Sequence, residues 1–542
     1  MIGKKLYLRI FGAFFIIGAL AYSNIAGAFF LSDDFDQIGK VRAGNLAVTW
    51  GREHGGFFRP LFILSYLVDV KLWNAAPPGF HFTNILFHIV NAFLVFLLSQ
   101  SLIEEFRAVP GREEAQRISL AAGLIFLLHP SHTEAVSWIS GRADLIATCF
   151  SLASLTFYVS YWRTKNPAHI LFSLLFFALA LLAKESAVCL PFLALVMGLA
   201  RAAQQQSREA FGHTLKTFAA FVVLLLVFIG ARYLAINSLV GGYGAAQHLN
   251  FAPSWIRDRA LQFSLRAVLP PLPTELSVIL LKPLKSPAFV LFAVVCAALI
   301  AAALVHRHKR RSIDARRPQN IFMALLVASF LCSLSPVINL RLSLYDTQGE
   351  RFLYLPSVFA CIAIGYVSIM FVRRAGVVWM ILIGCLLIFY SLALYRSNEN
   401  WREAARLSQT ILNDVAASSE HDSVLILNAP DNLKGAPVFH NGLTDALQNF
   451  QTAKHFTDTR FVALHNIQTV NDAIESTVSP RSIAIRLLDQ ANEFERVDEH
   501  LQCVEVVDHA KMFVRLRLDD CPASTDVFVF DKGRMQRIAT LP

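Results

Sequence analysis

Long apolar blocks recur almost to residue 396, and only then does the chain turn polar, with short alternating runs. A bilayer core about 30 Å thick takes roughly 20 apolar residues per helix. On that measure about eleven spans are predicted, near 7–30, 80–102, 118–130, 144–162, 168–183, 186–200, 215–235, 288–305, 320–340, 352–372 and 376–396. The third is short, which places its end inside a protein-lined cavity. The first follows MIGKKLYLRI, but its apolar run is too long for a signal peptide and no A-x-A-like site closes it, so it reads as a retained first helix. Beyond about residue 397, β-like runs such as SVLILN and DVFVFD alternate with helical stretches such as NGLTDALQNFQTA. The predicted fold is a polytopic α-helical membrane protein, residues 1–400, followed by a small C-terminal α/β extracytoplasmic domain, residues 401–542.

Composition agrees with this pattern: 55% of the 542 residues are hydrophobic and 16% charged, and the mean hydropathy is +0.49. The net charge of +10 sits in short connections, among them Lys4, Lys5, Arg9, Arg107, Arg112, Arg117, Arg163, Lys165, Arg201, Arg208, the run from Arg307 to Arg317, Arg373 and Arg374. Short basic loops favour the cytoplasmic side. With eleven spans they all fall on one face, with the N-terminus inside and the C-terminal segment outside. Scattered over separate loops, they do not suggest nucleic acid. Six of the eight cysteines lie in the apolar segments as packing residues. Cys503 and Cys521 lie in the outer segment, where a disulfide between them is permitted. No internal repeat is evident.

The long connections, 31–79, 131–143, 236–287 and 337–351, lie on the outer side and hold the candidate chemistry. LSDDFDQ puts Asp33, Asp34 and Asp36 just beyond the first span. Crowded carboxylates raise one another's pKa or bind a cation, which makes one available as base or metal ligand; an interfacial acidic turn, with Ser32 as helix cap, is the plainer reading. Arg59, beside Pro60, suits a phosphate or carboxylate. His81, Asn84, His88 and Asn91 share one helix face, serving either helix-to-helix hydrogen bonds or a substrate path. In HPSHTEAVSWISGRADL, Pro130 breaks the helix that would hold His129 and His132 to a metal. There, Glu134, Arg142 and Asp144 read as a mixed-charge wall, or else Arg142 and Asp144 form an internal salt bridge. Lys184 with Glu185, and Asp346 with Glu350 and Arg351, add further pairs. Arg59, Arg142, Lys184 and Arg351 thus bring four cations from four loops to the outer mouth, as a site for an anionic head group would require.

The order DDF, FRPL, HFTNILFHIVNAF, HPSHTEAVSWISGRADLIA, LAKES, GERFLYLPSVFAC and NENW, over about residues 30–405, resembles the membrane part of the transmembrane and tetratricopeptide-repeat family of O-mannosyltransferases. These are GT-C class relatives of the protein O-mannosyltransferases. After Trp401 that family continues into tandem helical repeats, whereas here no 34-residue period is found. The resemblance implies transfer of a sugar, mannose, from a polyprenyl-phosphate donor to an acceptor hydroxyl on the extracytoplasmic side, with protein Ser or Thr favoured and a lipid or polysaccharide left open. By matching position, Asp33 and Asp34 are the carboxylate pair, with Asp33 the choice for general base. Arg351, Lys184, Arg142 and Arg59 are candidates for the donor phosphate, and Glu134, Asp144, His132, His81 and Glu350 for positioning substrate. An inverting transfer is a single displacement and needs no covalent nucleophile. No cofactor is expected, and no metal, because the donor is a monophosphate; a divalent ion stays open. Expected partners are the polyprenyl-phosphate sugar, the acceptor and membrane lipids, in a bacterial inner membrane. A transporter or flippase for a lipid-linked sugar and a non-catalytic envelope assembly protein are the competing readings.

Overall fold

The computed structural model describes residues 4–44, 56–238, 242, 250–272, 317–372, 376–450, 454, 456–467, 469, 474–479, 482–488, 494–497, 504–510, 513–518 and 524–541. The apolar blocks form helices: α1 (Lys4–Ala21), α2 (Asp33–Arg42), α3 (Pro60–Trp73), α4 (Pro77–Glu105), α5 (Arg112–Leu127), α6 (Thr133–Ser137), α7 (Arg142–Thr164), α8 (Pro167–Ala183), α9 (Leu190–Gln205), α10 (Arg208–Ile236), α11 (Pro253–Arg266), α12 (Arg317–Leu334), α13 (Ser357–Val372) and α14 (Gly376–Ser418). The expected span near 288–305 lies outside the described residues; each of the others coincides with a helix. Among the described residues, five helical stretches are by length and composition suited to crossing a membrane: Pro77–Glu105, Ile139–Thr164, Glu185–Gln205, Arg208–Ile236 and Gly376–Ser418.

Several helices depart from the expected segmentation: α6 and α11 form within expected outer connections, and α3 and α14 differ further. The sequence places α3 in an outer connection, yet Pro60, which fits the first helical turn because it has no N–H to satisfy, starts a 14-residue helix. At 1.5 Å per residue it is about 21 Å long, too short for a span. The last helix, α14, runs 43 residues, about 65 Å. Its apolar part ends near Tyr395 and it continues unbroken through NENW to Ser418, leaving no backbone break at residue 400.

Beyond α14 the described chain is mostly strand: β1 (Ser423–Leu433), β2 (Ala436–Pro437), β3 (Asp458–Ile467), β4 (Ile474–Ser479), β5 (Ser482–Leu487), β6 (Phe494–Val497), β7 (Val504–Ala510), β8 (Phe513–Leu518), β9 (Thr525–Asp531) and β10 (Arg534–Leu541), with α15 (Leu443–Asn449) between β2 and β3. SVLILN and DVFVFD become β1 and β9. These pair in parallel, Ser423 opposite Thr525 and Ile426 opposite Phe528, and β1 pairs in parallel with β3 on its other edge. A strand covered on both faces reads as a continuous apolar run, as these do. The sheet order is β10-β9-β1-β3-β6, with β2 beside β1, and β4-β5-β8-β7 form a second, antiparallel sheet. Among the described residues, helix–strand alternation is therefore confined to β1 through β3. Elsewhere short strands pair antiparallel, some with the next strand in the chain and some, as β3 with β6 and β5 with β8, across intervening strands.

Much of the polar stripe on α4 is consumed in packing. His81 Nε2 lies 3.1 Å from the Ala28 carbonyl, and Asn84 donates to the carbonyls of Val136, Trp138 and Ile139 at 3.0–3.2 Å. His88 meets the Tyr354 hydroxyl at 2.7 Å, and Asn91 donates to the Leu145 carbonyl at 2.9 Å. The Asn84 bonds hold the loop 128–141 against α4.

Candidate functional site

A cavity of about 360 Å³ opens where α2, the start of α3, the turn before α7, the end of α8 and the segment around Arg351 meet the start of α15. Of the residues singled out from sequence, Asp33, Arg59, Asp144, Lys184 and Arg351 all line it. They come from positions more than 300 residues apart, so only folding brings them together.

The acidic side begins at α2. Its first turn carries Asp33, Asp34 and Asp36, where a helix N-terminus favours negative charge. Ser32, expected as the cap, makes no capping bond through its side chain; its hydroxyl instead accepts from the Asn441 N–H at 3.1 Å. Adjacent aspartates differ completely in surroundings. Asp33 reaches the cavity, where Asn441 Nδ2 donates to its Oδ1 at 2.8 Å. Asp34 is buried beneath, accepting from the Ser140 N–H at 2.8 Å, the Ser140 hydroxyl at 2.5 Å and the Leu31 N–H at 3.0 Å. Burial, helped by the Asp33 charge and opposed by these bonds, pushes the Asp34 carboxyl up to about 7. Beside α2, burial and the Asp36 carboxylate raise Asp445 above the usual range.

Three cations form a chain on the basic side. Arg59 is bonded to Glu185 and lies over the Phe57 ring at 4.1 Å. Lys184, almost fully buried, donates to Asp144 at 2.5 Å. Lys184 and Arg351 share the Phe352 ring, at 5.4 and 4.8 Å, and Arg351 also stacks over Trp138. Glu134 binds Arg351 through both its guanidinium and its backbone N–H. Burial nonetheless raises the Glu134 carboxyl, with Arg351 acting against it.

Other expected site residues sit away from the wall. Arg142 is completely buried, paired with Asp69 at 2.6 Å, bonded to Asn84 and the Phe80 carbonyl, and stacked over Tyr66. The anticipated Arg142–Asp144 bridge is therefore replaced by two others, Arg142–Asp69 and Lys184–Asp144. Glu350 is buried against Arg266 and accepts from the Thr133 hydroxyl at 3.0 Å. His132 bonds the Ser357 hydroxyl at 2.9 Å and His129 the Ala267 carbonyl at 3.0 Å; His81 is taken up by Ala28. Cys503 and Cys521 lie outside the described residues. Sequence reasoning missed Asp69 and Arg266, whose partners are distant in the chain, and Trp138 and Ser140. It also missed Asn441 and Asp445, although the Asn-Gly pair at 441–442 marks a turn.

No protein-family model matches the chain. It is similar to the Protein O-mannosyl-transferase Tmtc1 of Drosophila melanogaster, 34% identical over 134 residues, covering 24% of this chain and 14% of that protein. It is also similar to the Protein O-mannosyl-transferase TMTC4 of Homo sapiens, 28% identical over 411 residues, 66% of this chain and 53% of that protein. Among solved structures, the crystal structure of ArnT from Cupriavidus metallidurans bound to undecaprenyl phosphate aligns over 95% of this chain and 98% of its own. The identity there is 10% and the TM-score 0.45, a likeness too loose to argue from. The match spans about half the length of the human relative and a smaller part of the fly one. Over about two thirds of its length, then, this chain resembles a protein O-mannosyl-transferase, at 28% identity.

Proposed function

We propose that this chain is an integral membrane glycosyltransferase of the GT-C class that moves a sugar, mannose by its resemblance, from a polyprenyl-phosphate donor to an acceptor hydroxyl, with protein Ser or Thr favoured. The observation that carries the reading is one cavity lined by both Asp33 and the cations Arg59, Lys184 and Arg351. In an inverting displacement the acceptor oxygen attacks the anomeric carbon as Asp33 takes its proton. The lipid phosphate leaves with the bonding pair, and the growing negative charge is met by Lys184, Arg351 and Arg59, already oriented by Asp144, Glu134 and Glu185. Oriented charges need little rearrangement in the transition state.

Residues 1–400 form the transferase portion in this reading, and 401–542 an extracytoplasmic domain, with the N-terminus cytoplasmic and the whole in a bacterial inner membrane. The test is turnover of radiolabelled polyprenyl-phosphate-mannose by wild type, Asp33→Asn and Asp34→Asn in membranes that supply acceptors. Transfer by wild type, abolished in Asp33→Asn with donor binding retained, is expected. Movement of intact lipid-linked sugar across the bilayer without transfer, unaffected by Asp33→Asn, would instead favour a flippase. EDTA is expected to leave transfer intact; loss restored by manganese would place a metal in the reaction.

A further inference from the structure

Among the described residues, the strand-rich portion touches the cavity through one short segment, and that segment grips the element carrying Asp33. Ser32 N–H donates to the Val438 carbonyl at 2.9 Å. Phe439 stacks on Phe35 with ring centroids 6.1 Å apart, and Phe450 packs edge-on to Phe35 and Phe30 at 5.1 and 5.4 Å. Gly442 has φ +80°, a conformation few side chains tolerate, and a Cβ there would lie 2.5 Å from the Ser32 carbonyl oxygen. The backbones are therefore pressed together, and Asn441 arrives with its amide on the Asp33 carboxylate and its own N–H on Ser32.

The cavity is also divided by charge. Arg59, Lys184 and Arg351, with their partners Glu185, Asp144 and Glu134, form one group, while Asp33, Asp36, Gln37, Asn441, Gly442 and Asp445 come from α2 and the segment docked on it. A donor phosphate is attracted to the first group and repelled by the second, so the second faces the incoming hydroxyl. We propose that Asn441 is a positioning residue for Asp33, and that residues 438–445 complete the cavity as its acceptor-side wall. This rests on the transferase reading above. Held by Asn441, the Asp33 carboxylate keeps one oxygen occupied and offers the other toward the acceptor. The strand-rich portion is then part of the active site, not a separate attachment.

The test compares full-length wild type, Asn441→Ala and Asn441→Gln in transfer assays at varied donor concentration, beside a cysteine pair at 33 and 441. One hydrogen bond to a charged group corresponds to a change on the order of tenfold. The expected result is a fall of about tenfold in kcat for Asn441→Ala, with donor KM unchanged and most of the rate recovered in Asn441→Gln, which keeps the donating amide. Wild-type kcat in Asn441→Ala, or equal losses in both variants with a raised donor KM, would overturn the positioning role. Mild oxidation of Asp33→Cys/Asn441→Cys is expected to yield a joined peptide by mass spectrometry, and its absence overturns the wall. Because the cross-link needs no turnover, a wild type that transfers nothing fails the transferase reading separately, while the joined peptide still decides the contact.

Discussion

Asp33 and Asp34 are chemically identical neighbours with opposite fates, because successive residues of a helix point about 100° apart and only one of these directions meets the cavity. Asp34 carries a pH signature of its own. Its folded pKa of about 7 lies above the usual 3.8, so between about pH 4 and 7 the folded protein holds a proton that the unfolded chain has released. The stability contributed by this group is fully present below about pH 4 and is lost as pH rises through about 7. Melting temperatures measured from pH 5 to 8 should therefore fall in the wild type and flatten in Asp34→Asn; parallel curves would contradict the buried, protonated carboxyl. Arg142 makes a second residue-scale prediction. Removing one member of a buried ion pair strands the other at a cost of roughly 3–5 kcal/mol. Arg142→Ala should thus lower folded yield and melting temperature as strongly as Asp69→Ala does, whereas Lys184→Ala, which strands Asp144 at the cavity wall, should cost donor binding as well as stability.

The loop between α5 and α7 is an element built by its exceptions to helix. Pro130 stops the run from α5, the short turns place Ser140 against Asp34, and Ser137 ties the loop to Asn398 on α14 at 2.7 Å. Gly141 fits because a side chain there would overlap the carbonyls of Glu134 and Ala135. Gly141→Ala should destabilise by about 1–3 kcal/mol and shift the thermal transition accordingly. A wild-type melting curve for this variant would mean the loop is looser than its packing implies. The loop's importance was legible from its density of charged and small residues. Its pairings were not, because Asp69, Glu350 and Asn398 lie far away in sequence and nothing local distinguishes Arg142, paired in the interior, from Arg351, paired at the cavity wall.

Across the whole molecule, the proposed topology puts the basic turn at 112 and the strand-rich portion on opposite sides of the membrane. A membrane-impermeant maleimide applied from outside should label Lys532→Cys above the wild-type background and leave Arg112→Cys unlabelled until the membrane is permeabilised; the reverse pattern would invert the topology. At this scale the sequence went a long way. Apolar blocks of span length announce helices, because a segment leaving water must satisfy its own backbone. The β-like runs at 423–428 and 526–531 announce strands, and the ordered motifs from DDF to NENW carry the likeness to the O-mannosyl-transferases. What only the tertiary structure decided was which ion pairs are buried in packing and which line the cavity, and that Asn441 reaches Asp33 across some 400 residues of chain. The physical reason is range. Helix and strand follow from period and hydropathy over a few residues, whereas an ion pair or a cavity wall depends on distances in space that the order of residues along the chain does not encode locally.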